Sequence, residues 1–123
     1  MARILVIDDS PINLDLMTYL LRSFGHTPVG CSKANEGLAA VRAGGFQLVL
    51  CDILMPGIDG YDFARTLKGD PSLASIPLVA VTALAMSGDR ERIAEAGFDG
   101  YIGKPIDPEG FVKLIESFLA GGP

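Results

Sequence analysis

Five side chains able to do chemistry stand where apolar runs stop. Asp8 and Asp9 follow Ile4-Leu5-Val6-Ile7, and Asp52 follows Leu48-Val49-Leu50-Cys51. Thr82 closes Ile76-Pro77-Leu78-Val79-Ala80-Val81, and Lys104 follows Gly100-Tyr101-Ile102-Gly103. Continuous apolar runs bounded by turn residues read as strands buried on both faces of a parallel sheet. Each reactive group therefore belongs to a strand's carboxyl end. Carboxylates drawn together repel by roughly a kcal/mol or more per close pair and raise one another's pKa. A divalent cation relieves this, and oxygen donors with no histidine or paired cysteine suit Mg²⁺. Lys104 and Thr82, arriving from the other side, complete a pocket for a tetrahedral dianion. Asp52 is then the natural nucleophile, whose attack on phosphorus gives an acyl phosphate.

The elements that must position these groups follow from the periodicity. Ser10-Pro11 starts a helix with Leu14, Met17, Leu20, Leu21 and Phe24 inward, stopped by Gly25. Thr27 to Cys31 is a weak strand, since Pro28 removes a donor and Gly30 adds no packing, so it belongs at a sheet edge. Helices are predicted at about 34–43 with Leu38 and Val41 inward, at 61–68 with Phe63, Ala64 and Leu67 inward, and at 88–96 with Ile93 inward. A last helix, opened by Asp107-Pro108, presents Phe111, Leu114, Ile115, Phe118 and Leu119. Met55-Pro56-Gly57 and Asp59-Gly60 force a defined loop just beyond Asp52.

Strands alternating with helices imply an α/β fold of the flavodoxin-like, doubly wound (βα)5 type with a five-stranded parallel sheet. The second strand ends in nothing reactive. The order that gathers the reactive ends places it outside, as 2-1-3-4-5, and makes the first and third strands neighbours at the switch point where such sheets bind ligands. The 123 residues are one domain over 1–120, with roughly two-thirds of the unfolded surface buried, and Gly121-Gly122-Pro123 as a frayed tail. The formal net charge of -5 and lack of a basic cluster argue against nucleic acid. No apolar run reaches the ~20 residues of a membrane span. With no apolar signal segment, Cys31 and Cys51 read as free, buried thiols of a cytoplasmic protein, and His26 reads as exposed. Met1 and the compact ending favour a whole protein.

Ile7-Asp8-Asp9, Asp52-Ile53-Leu54-Met55-Pro56-Gly57 with Gly60, Val81-Thr82-Ala83 and Tyr101-Ile102-Gly103-Lys104-Pro105 together resemble the receiver domain of two-component response regulators over essentially the whole chain. Stretches 79–86 and 95–101 are most similar to stand-alone regulators of the DivK type and to receivers of hybrid kinases. The resemblance implies that Asp52 is the phosphoacceptor for a phosphohistidine on a sensor histidine kinase or a histidine phosphotransfer protein. It implies Mg²⁺ on Asp8, Asp9, Asp52 and the backbone carbonyl of Leu54, with Thr82 and Lys104 contacting the phosphoryl group. Thr82 and Tyr101 would form the switch, and Lys104-Pro105 would be cis. With no effector domain attached, the output is docking of a downstream protein on the fourth helix, last strand and last helix, around Met86, Arg90, Tyr101, Pro105 and Phe111. Kinase docking is expected on the first helix at Asn13, Leu14 and Met17.

Taken singly, each residue has an ordinary reading: Asp8 and Asp9 cap a helix, Asp52 starts a turn, Thr82 ends a strand and Lys104 is solvated. Their joint placement at four strand ends outweighs it. Leu54 and Leu84, two residues beyond Asp52 and Thr82, are apolar, which disfavours an oriented attacking water and predicts a slowly decaying phosphorylated form. The rival readings are a small phosphohydrolase, a binding module that is never phosphorylated, and a nucleotide-binding flavodoxin-like protein. The first wants a second acid where Leu54 stands, and the last wants a Gly-rich loop after the first strand.

Overall fold

The computed structural model describes residues 2–54, 59–83 and 87–120. The elements run β1 (Arg3–Ile7), α1 (Pro11–Ser23), β2 (Thr27–Cys31), α2 (Ala34–Ala43), β3 (Leu48–Cys51), α3 (Gly60–Gly69), β4 (Leu78–Thr82), α4 (Ser87–Ala96), β5 (Gly100–Gly103) and α5 (Pro108–Leu119). All strand pairs are parallel, in the order β2-β1-β3-β4-β5.

The two faces of the sheet carry different helices because crossovers are right-handed. From β1 the chain steps outward to β2 and then reverses, so α1 covers one face and α2, α3 and α4 the other. Ile4, Val6, Leu48, Leu50, Val79 and Val81 pack with Met17, Leu20 and Leu21 of α1 and Phe111, Val112 and Ile115 of α5. Leu5, Ile7, Val49, Cys51, Leu78 and Ala80 pack with α2, α3 and α4 through Val41, Phe63, Leu67 and Ile93. Alternate residues of every central strand thus feed opposite cores, which is why the runs are apolar without interruption.

Several helix ends match their local chemistry. Ser10 caps α1 by accepting from the Asn13 N–H, with Pro11 in the first turn, and Asp107 caps α5 the same way through Glu109. Gly25 and Gly97 take positive φ where α1 and α4 stop. Helix α3 starts one residue earlier than the apolar spacing predicts, because Asp59 caps it by accepting from Asp62 N–H at 2.9 Å. Strand β4 begins at Leu78 and not Ile76, since the Ile76 N–H is taken by the Leu73 carbonyl in the preceding turn.

Other sequence expectations are corrected. Phe24 lies beyond α1 and is 59% exposed, and Leu114 is 44% exposed while Val112 takes the inward place on α5. His26 is buried, not exposed: Gly25 turns the chain inward, Nδ1 accepts from the Ala2 N–H at 3.1 Å, and Nε2 meets Glu116 at 3.3 Å. Cys51 is buried as expected, but Cys31 is only half-buried. Both are in register with Ile7 from opposite sides of β1, which separates them by two strand spacings, about 10 Å, too far for a disulfide. The expected tail at 121–123 lies outside the described residues.

Candidate functional site

The carboxyl edge of β1 and β3 gathers the acidic residues. Ile7 and Cys51 are paired, so the next residues on each strand, Asp8 and Asp52, emerge side by side, and the Asp52 N–H donates to the Ile7 carbonyl at 2.9 Å. Asp8 is tied on its other side, its N–H donating to Cys31 and its Oδ1 accepting from the Ser10 N–H at 2.9 Å. Asp8, Asp9 and Asp52 each offer an oxygen within 4.8 Å of the others. Asp8 and Asp52 are buried and Asp9 is exposed, so the cluster opens to solvent at Asp9.

Lys104 reaches this cluster from β5. Its N–H donates to the Thr82 carbonyl at 2.9 Å, extending the β4–β5 ladder by one residue. Its ammonium then stands 3.0 Å from Asp8 Oδ2 and donates to Asp52 Oδ2 at 3.2 Å. The Asp8 approach is an ion pair without hydrogen-bond alignment, which leaves buried Asp8 Oδ2 with no hydrogen-bond partner. Asp52 Oδ1 accepts from the Leu54 N–H at 3.2 Å. Thr82 is fully buried on β4, two residues beyond the Cys51–Ala80 pair, and the Lys104–Pro105 bond beside the site is cis.

The electrostatics are those of a cation-poor pocket. Burial, followed by repulsion from Asp8, pushes the Asp52 carboxyl above the usual range, against the opposing pull of Lys104. Burial alone would lower the Lys104 ammonium, but the two carboxylates outweigh it and hold it above its ordinary value. One ammonium for three carboxylates leaves negative charge uncompensated. The all-oxygen donor set, with buried Asp8 Oδ2 met by no aligned hydrogen bond and sharing its one ammonium with Asp52, fits a hard divalent cation such as Mg²⁺. The thiol of Cys51 is pushed well up by burial and then by Asp52, so it contributes no thiolate to this site.

Gly60 is a part of the site whose role spacing alone does not reveal. Its N–H donates to the Ile53 carbonyl at 2.9 Å, and a Cβ there would lie 2.5 Å from the Asp52 carbonyl oxygen and from Ile53 Cα. Both obstacles are backbone and cannot rotate away. Gly60→Ala is expected to cost about 2 kcal/mol, read as a lower urea midpoint at unchanged slope.

Of the residues assigned to docking, Met17 and Phe111 are corrected: they are 0% and 1% exposed, because both face the core between the sheet and helices α1 and α5. Asn13 and Leu14 are half-buried, Arg90 and Pro105 are exposed, and Tyr101 is half-buried with Arg90 over its ring. Met86, Leu84 and the turn at 55–58 lie outside the described residues. Exposed apolar groups that helical periodicity could have located are Ile12 at 81% and Tyr19 at 66%, seven residues apart on α1 with Leu16 between them.

A doubly wound sheet with acidic and basic groups converging at its switch point defines a class of α/β ligand-binding domains. Residues 4–116 match the model of the response regulator receiver domain. The chain is 35% identical over 116 residues, 94% of each chain, to the polar-differentiation response regulator DivK of Brucella ovis. Among solved structures, it resembles the receiver domain of a sensor histidine kinase from Pseudomonas aeruginosa PAO1, which holds a magnesium ion in its active site cleft. That likeness has a TM-score of 0.88 and 25% identity, covering 97% of this chain and 98% of the other. The chemotaxis response regulator CheY4 of Vibrio cholerae shares the fold at a TM-score of 0.89 and 22% identity, covering 94% and 97%. The chain belongs to the receiver-domain family of response regulators, the signalling proteins of two-component systems. No helix among the described residues is long and apolar enough to cross a membrane.

Proposed function

We propose that this receiver takes a phosphoryl group onto Asp52 from a phosphohistidine of a histidine kinase or phosphotransfer protein, and signals by protein docking. The observation that carries the reading is the ammonium of Lys104 shared between Asp8 and Asp52 at the open edge of the sheet. An Asp52 carboxylate oxygen attacks phosphorus, the phosphorus–nitrogen bond to the donor imidazole breaks, and the departing ring nitrogen takes up a proton. Asp52 then loses its own charge in an acyl phosphate, and Lys104 and Thr82 transfer their interactions to the phosphoryl oxygens. Asp8, Asp9, Asp52 and the Leu54 carbonyl would hold Mg²⁺, which when bound neutralises charge on the transferring group. The chain catalyses only its own phosphorylation and dephosphorylation.

Intact-protein mass after incubation with acetyl phosphate and Mg²⁺ tests this reading. A gain of one phosphoryl group, absent without metal, supports it. No gain in folded protein points instead to a binding module that is never phosphorylated.

The exposed side chain of Leu54 beside Asp52 is apolar and offers an attacking water no hydrogen-bonding atom. The phosphorylated form is therefore long-lived, and Leu54→Asn is expected to speed phosphoryl loss by about tenfold, less than a full general base contributes. Equal decay rates in a radiolabel chase would remove this assignment.

For the phosphoryl donor, the accessible apolar stripe is Ile12, Leu16 and Tyr19, with Asn13 and Leu14 beside it at the active-site end of α1. Replacing Ile12 and Tyr19 by alanine is expected to slow transfer from the phosphorylated donor about tenfold or more, as for interface anchors, with acetyl phosphate uptake unchanged. The downstream protein would meet the α4–β5–α5 face at Arg90, Tyr101 and Pro105.

A further inference from the structure

Helix α4 is thinly anchored. Of its described side chains only Ile93 and Ala96 are buried, whereas α1 and α5 each bury three large apolar or aromatic side chains. Two arginines supplement this hold from the same helix. The Arg92 guanidinium lies 4.8 Å from the centroid of the Tyr61 ring on α3, and that of Arg90 lies 5.2 Å from the Tyr101 ring on β5. Both are within the ~6 Å over which a cation is attracted to an aromatic face.

The two contacts differ in what they restrain. Tyr61 is 7% exposed and packed in the core beneath α2, α3 and α4, so Arg92 fastens α4 to a buried ring. Tyr101 is half-buried on a short edge strand, in register with Ala80, and two residues further on Gly103 is in register with Thr82. Its ring is partly exposed and partly packed against the core on that face, and Lys104 follows three residues later.

We infer that Arg90 is a positioning residue for Tyr101: its guanidinium over the ring holds the half-exposed orientation and so sets how often the ring turns inward before any phosphoryl group arrives. This regulation rests on the reading of Tyr101 as the switch of the same phosphoacceptor site. Removing the contact makes the inward orientation more populated by a factor of about two to five, the range that an exposed cation–π contact supports.

The test is the population of Tyr101 side-chain rotamers, from NMR scalar couplings and NOEs, in phosphate-free wild type, Arg90→Met, Arg90→Lys and Arg92→Met proteins. The expected result is a two- to fivefold rise in the inward rotamer for R90M, a smaller rise for R90K, and none for R92M. Unchanged populations in folded R90M would overturn the inference. An equal rise in R92M would also overturn it, by showing that general loosening of α4 is responsible. Intact mass of the same wild-type sample after acetyl phosphate and Mg²⁺ reports the phosphorylation reading separately, since it does not depend on where the ring sits.

Discussion

In magnesium-free buffer near neutral pH, the Asp52→Asn protein is expected to melt a few degrees above the parent and to take up no phosphoryl group. Asparagine keeps the side chain's shape but removes a buried charge facing Asp8. The pKa of Asp52 is raised in the fold, by burial and then by Asp8. The folded protein therefore binds this proton more tightly than the unfolded chain does. Stability contributed by the protonated form is present at low pH and declines as pH rises from the unfolded carboxyl value through the raised folded value. The parent thus loses stability across that window and the variant does not. The two should converge at pH 4 and below and separate toward neutrality, by roughly 1 kcal/mol or a few degrees. Millimolar Mg²⁺ should narrow the gap, because it stabilises the parent more. Thermal melts over pH 3.5–7.5, with and without the metal, read all of this. A variant less stable than the parent at pH 7 would mean that the Lys104–Asp52 attraction outweighs the Asp8 repulsion.

Lys104→Met should act in the opposite direction and more strongly. It leaves two carboxylates, with side chains 0% and 6% exposed, facing each other without their ammonium. Removing one partner of a buried charge group costs about 3 kcal/mol or more, here roughly 10 °C in melting temperature. Because its partners raise the pKa of Lys104, the parent holds this stabilisation throughout the neutral range and loses it only as alkaline pH passes the raised value. Acidification should partly restore the variant by protonating Asp52, whose carboxyl is already raised by burial and by Asp8, and Mg²⁺ should stabilise it more than it stabilises the parent. Phosphoryl uptake from acetyl phosphate should fall by about a hundredfold, as when one donor to a developing anion is removed. Urea titrations and initial phosphorylation rates measure the two effects. A loss below about 1 kcal/mol would class Lys104 with ordinary surface ion pairs.

The balance between these two variants explains an arrangement that stability alone would not favour. Asp8 Oδ2 is buried and lacks a hydrogen-bond partner, and Asp52 is pushed away from ionisation while the proposed chemistry needs it ionised. Local strain of this kind collects at functional sites and persists because the surrounding structure over-determines it. Here the backbone provides that restraint: the Ile7–Cys51 pairing, the Asp52 N–H to Ile7, and Gly60 pressed against Asp52 and Ile53 hold the carboxylates in place.

Much of the fold was determined by local chemistry. Buried parallel strands must be apolar on both faces, so β1, β3 and β4 were visible as uninterrupted runs ending at Asp8, Asp52 and Thr82. Pro28 and Gly30 suit β2 to an edge, and its lack of a reactive end group, against the reactive ends of the other four strands, made the strand order deducible. Ser10-Pro11 and Asp107-Pro108 are cap signals whose hydrogen bonds span three residues or fewer. What the sequence left open depends on groups far apart in the chain. His26 is buried because Glu116, ninety residues later, and Ala2 arrive beside it. Met17 and Phe111 turn inward because α1 and α5 share one face of the sheet, which leaves Ile12 and Tyr19 outside. Residue types and spacing determined which groups stand at the strand ends. Only the packed sheet decided that one ammonium would serve two buried carboxylates, since charge sharing depends on separations of a few ångströms between strands that the chain order does not encode.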